Sequence, residues 1–157
     1  MDVAQTIRVF PSPASLCDAV GETLGYSQWH TVTQSEINLF AEATGDFQWI
    51  HVDTVNAVNG PYGSTIAHGF LTLALIPVLQ QEVFSVENKA FGVNYGLDRA
   101  RFPSPVRVDS RVRLQTDLMA AEPSGPGIRA TLRSTIEVES GTKPAVVAEV
   151  IVLYVPA

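Results

Sequence analysis

GFLTLALIPVL, residues 69–79, begins a segment running to about residue 83 that predicts a helix with apolar side chains around nearly its whole circumference. A helix that is apolar on every side is buried rather than placed on a surface. Pro77 lacks an amide hydrogen, so we expect a kink there and a carbonyl of Leu73 without its usual donor. Thr72 and residues 80–82 interrupt the apolar run. The chain contains no stretch of about 18 apolar residues, which argues against a membrane span.

After this helix the pattern changes to one of strands. Residues 112–118 and 130–138 alternate apolar with polar side chains, as half-buried strands do, and residues 122–127 (EPSGPG) predict the turn between them. Residues 145–155 are apolar on both faces except at Glu149, which indicates a central strand; residues 89–97 and 27–32 predict two more. Because these strands are mostly consecutive, the chain predicts an α+β fold with an antiparallel sheet of about five strands around one helix.

The first part of the chain contains helices whose ends are marked. Thr33 and Glu36 form a capping box at the start of one helix, and Gly45 stands where a left-handed residue ends it. Asp46 is therefore expected on the loop directly after this stop. A second short helix is expected to follow Asp53 and to end at residues 59–61 (NGP).

Size and composition favour one folded domain. Apolar residues make up 46% of the 157 residues, enough for a single core, so we expect residues 1–157 to form one domain with residues 1–12 as a loose extension. Cys17 is the only cysteine and cannot form an intramolecular disulfide. Residues 1–10 lack the pattern of a signal peptide. Both observations favour the cytoplasm.

The charge balance argues against a nucleic-acid partner. Ten basic and sixteen acidic residues give a net charge of −6, which is far from the basic surface that nucleic acid requires. Positive charge gathers only at Arg99, Arg101, Arg107, Arg111 and Arg113. These arginines are either solvated on an exposed strand face or placed to hold a phosphorylated carrier such as coenzyme A.

Two segments carry candidate chemistry, ATGDFQWIHVD at residues 43–53 and TIAHGFL at residues 65–71. Asp46 and His51 are expected on irregular chain between two helices, where functional residues commonly lie. A carboxylate and an imidazole beside one water can take one proton and supply another, as reversible hydration requires. The apolar side chains of residues 47, 49 and 50 are expected to keep bulk water out. Alternatively, Asp46 only caps a turn and His51 is a hydrogen-bonded structural residue.

Gly69 is a candidate for binding a substrate oxygen. It begins the predicted buried helix, so its amide is one of the donors that the first helical turn leaves unpaired. Glycine also lets a ligand approach the backbone closely. The alternative is a glycine needed only for packing at the start of a helix.

Together the two segments resemble the MaoC-like family, the (R)-specific enoyl-CoA hydratases also called hydratase 2. DFQWIH at residues 46–51 is similar to the family's D-x-N-P-x-H, and AHGFL at residues 67–71 is similar to its H-G block. FPSPV at residues 102–106 resembles the family's F-x-x-P-V strand entry more loosely. The resemblance implies a hot-dog fold, a long central helix wrapped by an antiparallel sheet, and a homodimer.

The resemblance also implies roles for the matched residues. Asp46 and His51 would activate water for addition to a trans-2-enoyl thioester, most simply an enoyl-CoA, giving an (R)-3-hydroxyacyl-CoA product, and the Gly69 amide would hold the thioester carbonyl. Gln48 stands where the family has asparagine, a longer amide for orienting the site. Asn94 and Tyr95, on the strand after the helix, are weaker pocket candidates.

Other site types are less favoured by the sequence. His30, His51 and His68 are too dispersed along the chain to predict zinc, no cofactor is expected, and His68 is expected to pack beside Gly69. A hot-dog thioesterase would need a carboxylate on the central helix, where the first acid after Gly69 is Glu82. A non-catalytic acyl-thioester-binding subunit remains a third alternative.

Overall fold

The structure is a computed structural model that describes residues 6–157. Its strands are β1 (Arg8–Phe10), β2 (Thr23–Tyr26), β3 (His30–Thr31), β4 (Phe84–Val86), β5 (Lys89–Arg101), β6 (Arg111–Ser124), β7 (Gly127–Val138) and β8 (Val146–Pro156). Its helices are α1 (Gln34–Thr44), α2 (Trp49–Val52), α3 (Thr54–Ala57), α4 (Gly69–Ala74) and α5 (Ile76–Gln80), and a 3-10 helix spans Pro13–Ala19.

The main sheet has six strands, in the order β2-β6-β7-β8-β5 with β3 also paired to β6. All of its pairings are antiparallel. The predicted alternation is confirmed, since Val112, Leu114 and Leu118 on β6 are fully buried. The predicted central strand is β8, which lies between β7 and β5. The β6–β7 turn is tighter than expected, because the strands extend to Ser124 and restart at Gly127.

One predicted strand, residues 27–32, is only partly correct. Strand structure is present before it as β2 and within it as the short β3. Ser27 interrupts the strand because its hydroxyl accepts a hydrogen bond from the amide of Leu114 at 2.9 Å. This side chain takes the place of a backbone acceptor, and the ladder resumes at His30.

The central helix is shorter and less buried than the sequence predicts. It divides into α4 and α5 at Leu75, and Pro77 near the start of α5 explains the break. Leu71 and Ile76 face the core, but Phe70 is 70% exposed and Val78 is 53% exposed. The expectation of burial on every side is therefore wrong for the single chain. An apolar face of this helix reaches a surface that one chain does not cover.

The N-terminal segment is packed rather than loose from Arg8 onward. β1 pairs in parallel with β4. Phe10 is buried and packs edge-to-face against Phe84, with ring centroids 5.9 Å apart. Residues 1–5 of the expected extension, residues 1–12, lie outside the described residues. Over residues 6–157, none of the helices combines the length and apolar character that crossing a membrane requires.

Candidate active site

The loop that carries Asp46 is placed by the two ends of α1. At the start, the Thr33 amide donates to the Glu36 carboxylate at 2.7 Å and the Glu36 amide donates to the Thr33 hydroxyl at 3.3 Å, which confirms the capping box. At the end, Gly45 has φ 78° and donates its amide to the Ala41 carbonyl at 2.8 Å. Glycine adopts this left-handed conformation without steric cost. Asp46 follows directly, as predicted.

His51 lies in the short helix α2 rather than on irregular chain, so that expectation is wrong. Its side chain is buried, and its Nδ1 lies 2.7 Å from the carbonyl oxygen of Ile66. A carbonyl oxygen only accepts hydrogen bonds, so Nδ1 carries the proton and Nε2 keeps a free lone pair. The amide of Ile66 donates a hydrogen bond to the Ile50 carbonyl at 3.0 Å, and Ile66 also forms an isolated backbone β-bridge with Arg107. The tautomer of His51 is therefore set by the backbone.

The environment of His51 favours the neutral ring. Burial is the main cause that lowers the pKa of His51 below its ordinary value of 6.5, and the electrostatic interaction with the nearby His68 ring lowers it further. The hydrogen bond to Ile66 and the Asp46 carboxylate act in the opposite direction without reversing the shift. At neutral pH the Nε2 atom of His51 is thus available as a base.

Asp46, His51 and His68 form one cluster. An oxygen or nitrogen atom from each of the three lies within 4.8 Å of those of the other two. Nε2 of His68 lies 2.9 Å from the Asp46 carbonyl oxygen and 4.0 Å from its carboxylate oxygen Oδ2. The Asp46 side chain is 56% exposed, whereas His51 and His68 are buried. The cluster thus joins an exposed carboxylate to a buried imidazole pair.

The sequence-based view that the histidines are dispersed is wrong for two of the three. The rings of His51 and His68 stack, with centroids 3.8 Å apart and planes 25° apart, while His30 pairs with Glu36 elsewhere. The lone pairs of two stacked rings lie in nearly parallel planes and do not converge on a single ion. In this geometry the cluster is better suited to moving protons than to coordinating a metal.

Gly69 and His51 line the same cavity, which has a volume of about 370 Å³. Gly69 is the first residue of α4, as predicted. Within residues 6–157, its amide donates to no protein acceptor. A Cβ atom at this position would lie 3.2 Å from the ring of Phe102, which is a tight contact. Glycine avoids this contact because it has no side chain. The amide is therefore free to bind an oxygen atom in the cavity.

The residues between Asp46 and His51 are more exposed than expected. Phe47 is 57% exposed and Trp49 is 45% exposed, so they do not exclude water from the site in the single chain. Trp49 instead packs over Gly60, where a Cβ atom would lie 3.0 Å from the indole ring. Gln48 is exposed, and its contribution is its backbone amide, which donates to Oδ1 of Asp46 at 3.3 Å. This bond restrains the carboxylate.

Asn94 and Tyr95 lie outside the cavity of His51 and Gly69. They line a second cavity of about 540 Å³ between α4 and β5, together with Phe40, Phe70 and Leu97. The two cavities lie against different faces of α4, since Gly69 and Thr72 line the first and Phe70 and Leu73 line the second. Asn94 and Tyr95 thus line a cavity other than the one that His51 and Gly69 line, and their role in binding substrate stays a prediction.

Sequence reasoning missed the side chains that support His51. Nε2 of Gln34 donates to the His51 carbonyl at 2.8 Å, and Oε1 of Gln34 accepts from the hydroxyl of Thr65 at 2.6 Å. Thr65 is almost completely buried. No local spacing signals this network, because its three members come from distant parts of the chain.

Comparison with known proteins places this architecture in a family. Residues 16–139 match the MaoC like domain, and the chain belongs to the MaoC-like family. The 3-hydroxyacyl-thioester dehydratase Z of Mycobacterium tuberculosis (strain ATCC 25618 / H37Rv) is 54% identical to it over 150 residues, 95% of this chain and 99% of that protein. The predicted enzyme class, a hydro-lyase, is confirmed.

Solved structures confirm the hot-dog fold. The (R)-hydratase of A. caviae has a TM-score of 0.69 and 26% identity, covering 85% of this chain and 94% of that one. An R-hydratase of Pseudomonas aeruginosa, in the unliganded form, has a TM-score of 0.71 and 22% identity, covering 88% of this chain and 83% of that one.

Proposed function

We propose that this chain interconverts a trans-2-enoyl-CoA and an (R)-3-hydroxyacyl-CoA, with Asp46 and His51 as its acid–base pair. The observation that carries the proposal is the tautomer of His51: its Nδ1–H is held by Ile66, so Nε2 is the free nitrogen of a ring that lies in one cluster with the Asp46 carboxylate. The identity to a 3-hydroxyacyl-thioester dehydratase supports the choice of substrate class.

The chemistry needs one proton to be taken and one to be returned. In hydration, the oxygen of water bonds to C3, one of its protons leaves, and C2 receives a proton. The Asp46–His51 pair takes the first proton and supplies the second, so the pair ends in its starting protonation state. Dehydration is the reverse, with the C3 hydroxyl leaving as water. A base that is neutral near pH 7 suits both directions.

The Gly69 amide is proposed to bind the thioester carbonyl oxygen. As C2 gains or loses its proton, negative charge develops on that oxygen. The unpaired Gly69 N–H shares a cavity with His51, so one bound substrate can reach both groups. One donor of this kind is typically worth about 3 kcal/mol in the transition state.

Coenzyme A is proposed as the carrier rather than an acidic carrier protein. The net charge of −6 opposes an acidic protein partner. Among residues 6–157, the side chains of Arg111 and Arg113 are held in ion pairs with Glu139 and Glu137. Arg99, Arg101 and Arg107 are exposed and take part in none of the salt bridges of this part of the chain, so they remain available to phosphate groups.

A homodimer is proposed from the surface of β5 and α4. Within the described residues β5 is an edge strand that pairs only with β8. Its side chains Phe91, Val93, Tyr95 and Leu97 are 45–64% exposed, and Phe70 on α4 is also exposed. A long apolar edge strand invites pairing with another chain.

A cytoplasmic location is kept as part of the proposal, because the single Cys17 suits a reducing compartment.

Incubation with crotonyl-CoA tests the function. Hydration removes the absorbance of the conjugated double bond without releasing thiol, and chiral analysis of the product should give the (R)-3-hydroxy isomer. Release of free thiol would instead indicate a thioesterase. That alternative lacks a carboxylate on the central helix, because Glu82 lies beyond α5 and accepts a hydrogen bond from the Gln28 amide at 2.9 Å. Binding with neither change would indicate a non-catalytic subunit.

A further inference from the structure

We propose that His68 is a positioning residue, which fixes the Asp46 loop and the His51 ring relative to each other. The proposal rests on the function proposed above and adds a residue to it. One imidazole contacts both members of the acid–base pair, by a hydrogen bond on one side and by ring stacking on the other.

The first contact holds the backbone of Asp46. Because the Asp46 carbonyl oxygen only accepts, Nε2 of His68 carries the proton and donates to it at 2.9 Å. The other hydrogen bonds of Asp46 are longer: its amide donates to the Thr44 hydroxyl at 3.4 Å, and its Oδ1 accepts from Gln48 at 3.3 Å. Asp46 lies beyond the end of α1, so no helical hydrogen bond fixes it. His68 is thus its firmest anchor.

The second contact orients His51. The two rings lie 3.8 Å apart and nearly parallel, so the plane of the His51 ring cannot turn without losing the stack. The ring of Phe40 also contacts His68, with centroids 5.0 Å apart. Together with the bond from Nδ1 to Ile66, the stack leaves His51 one orientation.

The backbone of His68 is itself fixed by α4. Its carbonyl accepts from the amide of Thr72 at 3.1 Å and from the hydroxyl of Thr72 at 3.3 Å. His68 directly precedes Gly69 at the start of α4. The residue that anchors Asp46 is therefore next to the amide proposed to bind the thioester carbonyl. Any movement of α4 would carry both groups together.

A purely structural role would not favour a histidine here. Nδ1 of His68 is buried and has no hydrogen-bond partner within residues 6–157. An unpaired buried nitrogen costs stability, and an apolar side chain at this position would avoid that cost. What the imidazole adds over an apolar side chain is the Nε2–H that holds Asp46.

Three substitutions of His68 separate the two contacts. His68→Gln keeps an amide N–H to donate to Asp46 and loses the stack. His68→Phe keeps a ring against His51 and loses the donor. His68→Leu loses both. Each variant, with the wild type, is assayed for kcat and KM with crotonyl-CoA, and its melting temperature is measured.

For His68→Leu we expect kcat to fall about 100-fold, the cost of misplacing reacting groups by about 1 Å. KM and the melting temperature should stay near the wild-type values, and His68→Gln and His68→Phe should have intermediate kcat. Wild-type kcat in His68→Leu would overturn the proposal, as would equal loss in all three variants or a loss that follows the melting temperature. Should His68→Leu not fold, the Gln and Phe variants are compared with the wild type, and wild-type kcat in both would overturn the proposal. If the wild type itself does not hydrate crotonyl-CoA, the proposed function fails and this inference fails with it, an outcome distinct from an active wild type with unaffected variants.

Discussion

His51 donates its Nδ1–H to the carbonyl oxygen of Ile66 across 2.7 Å, a contact made inside the protein. This bond decides which ring nitrogen can act as a base. Nε2 is left with its lone pair, and the ring itself lies in the cluster that contains the Asp46 carboxylate. The same bond fixes the direction of that lone pair. If the ring flipped, the carbonyl oxygen of Ile66 would lose its hydrogen bond from Nδ1.

Removal of either member of the proposed acid–base pair should lower turnover strongly. We expect Asp46→Asn and His51→Gln each to reduce kcat by at least ~100-fold, the usual scale for the loss of an acid–base group. Hydration of crotonyl-CoA measures the effect, and circular dichroism checks that the fold is retained. Near-normal rates in either variant would remove that residue from the mechanism.

The double variant Asp46→Asn/His51→Gln tests whether the pair acts as a unit. If one residue is of little use without the other, the double variant should be no slower than the slower single variant, because effects within a catalytic unit are not additive. Independent contributions would multiply instead, and a kcat equal to the product of the two single losses would argue against a shared water.

The pH dependence of the reaction should reflect the lowered pKa of His51. A base is active when neutral, and burial holds the pKa of His51 below 6.5. The acidic limb of kcat/KM, which reports the free enzyme, should therefore have its midpoint below 6.5. The same shift affects stability: between the folded pKa and 6.5 the unfolded chain binds more protons, so stability falls as pH falls.

Two measurements test this pH prediction. A pH profile of kcat/KM locates the acidic limb, and a midpoint above 6.5 would contradict the neutral-ring assignment. Denaturant unfolding at several pH values measures stability, and its decline on acidification should be smaller in His51→Gln. A decline of equal size in that variant would assign the effect to other groups.

A proline at position 69 tests the proposed carbonyl-binding amide. Proline is well accepted at the first residue of a helix, and His68 has φ −59° and ψ 138°, the extended conformation favoured before proline. Gly69→Pro should therefore remove the N–H with little change in backbone. Gly69→Ala is its matched control, since it adds a Cβ against Phe102 and keeps the N–H. We expect kcat of Gly69→Pro to be about 100-fold below that of Gly69→Ala; equal values would rule out this donor.

The Gln34 network should affect both stability and rate. Gln34→Leu leaves the His51 carbonyl and the buried Thr65 hydroxyl unpaired, a cost of about 1–3 kcal/mol for each unsatisfied group. We expect a lower free energy of unfolding and a lower kcat. Thr65→Val is the control, because it removes the hydroxyl and keeps the bond from Gln34 to His51. An equal loss of kcat in the two variants would mean that the bond to His51 is not what matters.

The apolar surface of β5 should determine the oligomeric state. Tyr95 is 64% exposed on this edge strand, and a carboxylate there would have to be buried without a partner in a dimer. We expect the wild type to sediment as a dimer and Tyr95→Glu as a monomer. Val55→Glu is the control, because Val55 on α3 is 78% exposed and away from the edge. A monomeric wild type would end the dimer proposal.

Much of the fold could be predicted because its signals are local. The capping box of Thr33 and Glu36, and the stop at Gly45, depend on hydrogen bonds within a few residues. The strands follow from alternation along each segment. The break in the central helix was expected from Pro77, although the chain divides at Leu75. The exposure of Phe70 could not be predicted, because an apolar helix face is covered either by the same chain or by a partner, and the composition of the helix is the same in both cases.

For the site, the sequence predicted the Asp46–His51 pair and Gly69 and named Asn94 and Tyr95 as weaker pocket candidates, but it treated His51 and His68 as dispersed although their rings stack. It also missed the roles of Gln34 and Thr65. These errors share a cause: each concerns which side chains meet across the fold, and spacing along the chain carries little of that information.

By itself, the sequence determined where α1 ends, which residues bring a carboxylate and an imidazole to the segment that follows it, and which glycine begins the central helix, because neighbouring residues decide these features. Only the tertiary structure decided which nitrogen of His51 is free and that its ring is neutral. It also decided that His68 joins His51 to Asp46. A tautomer and a pKa depend on the groups that surround a ring in space, and here those groups come from separate segments of the chain.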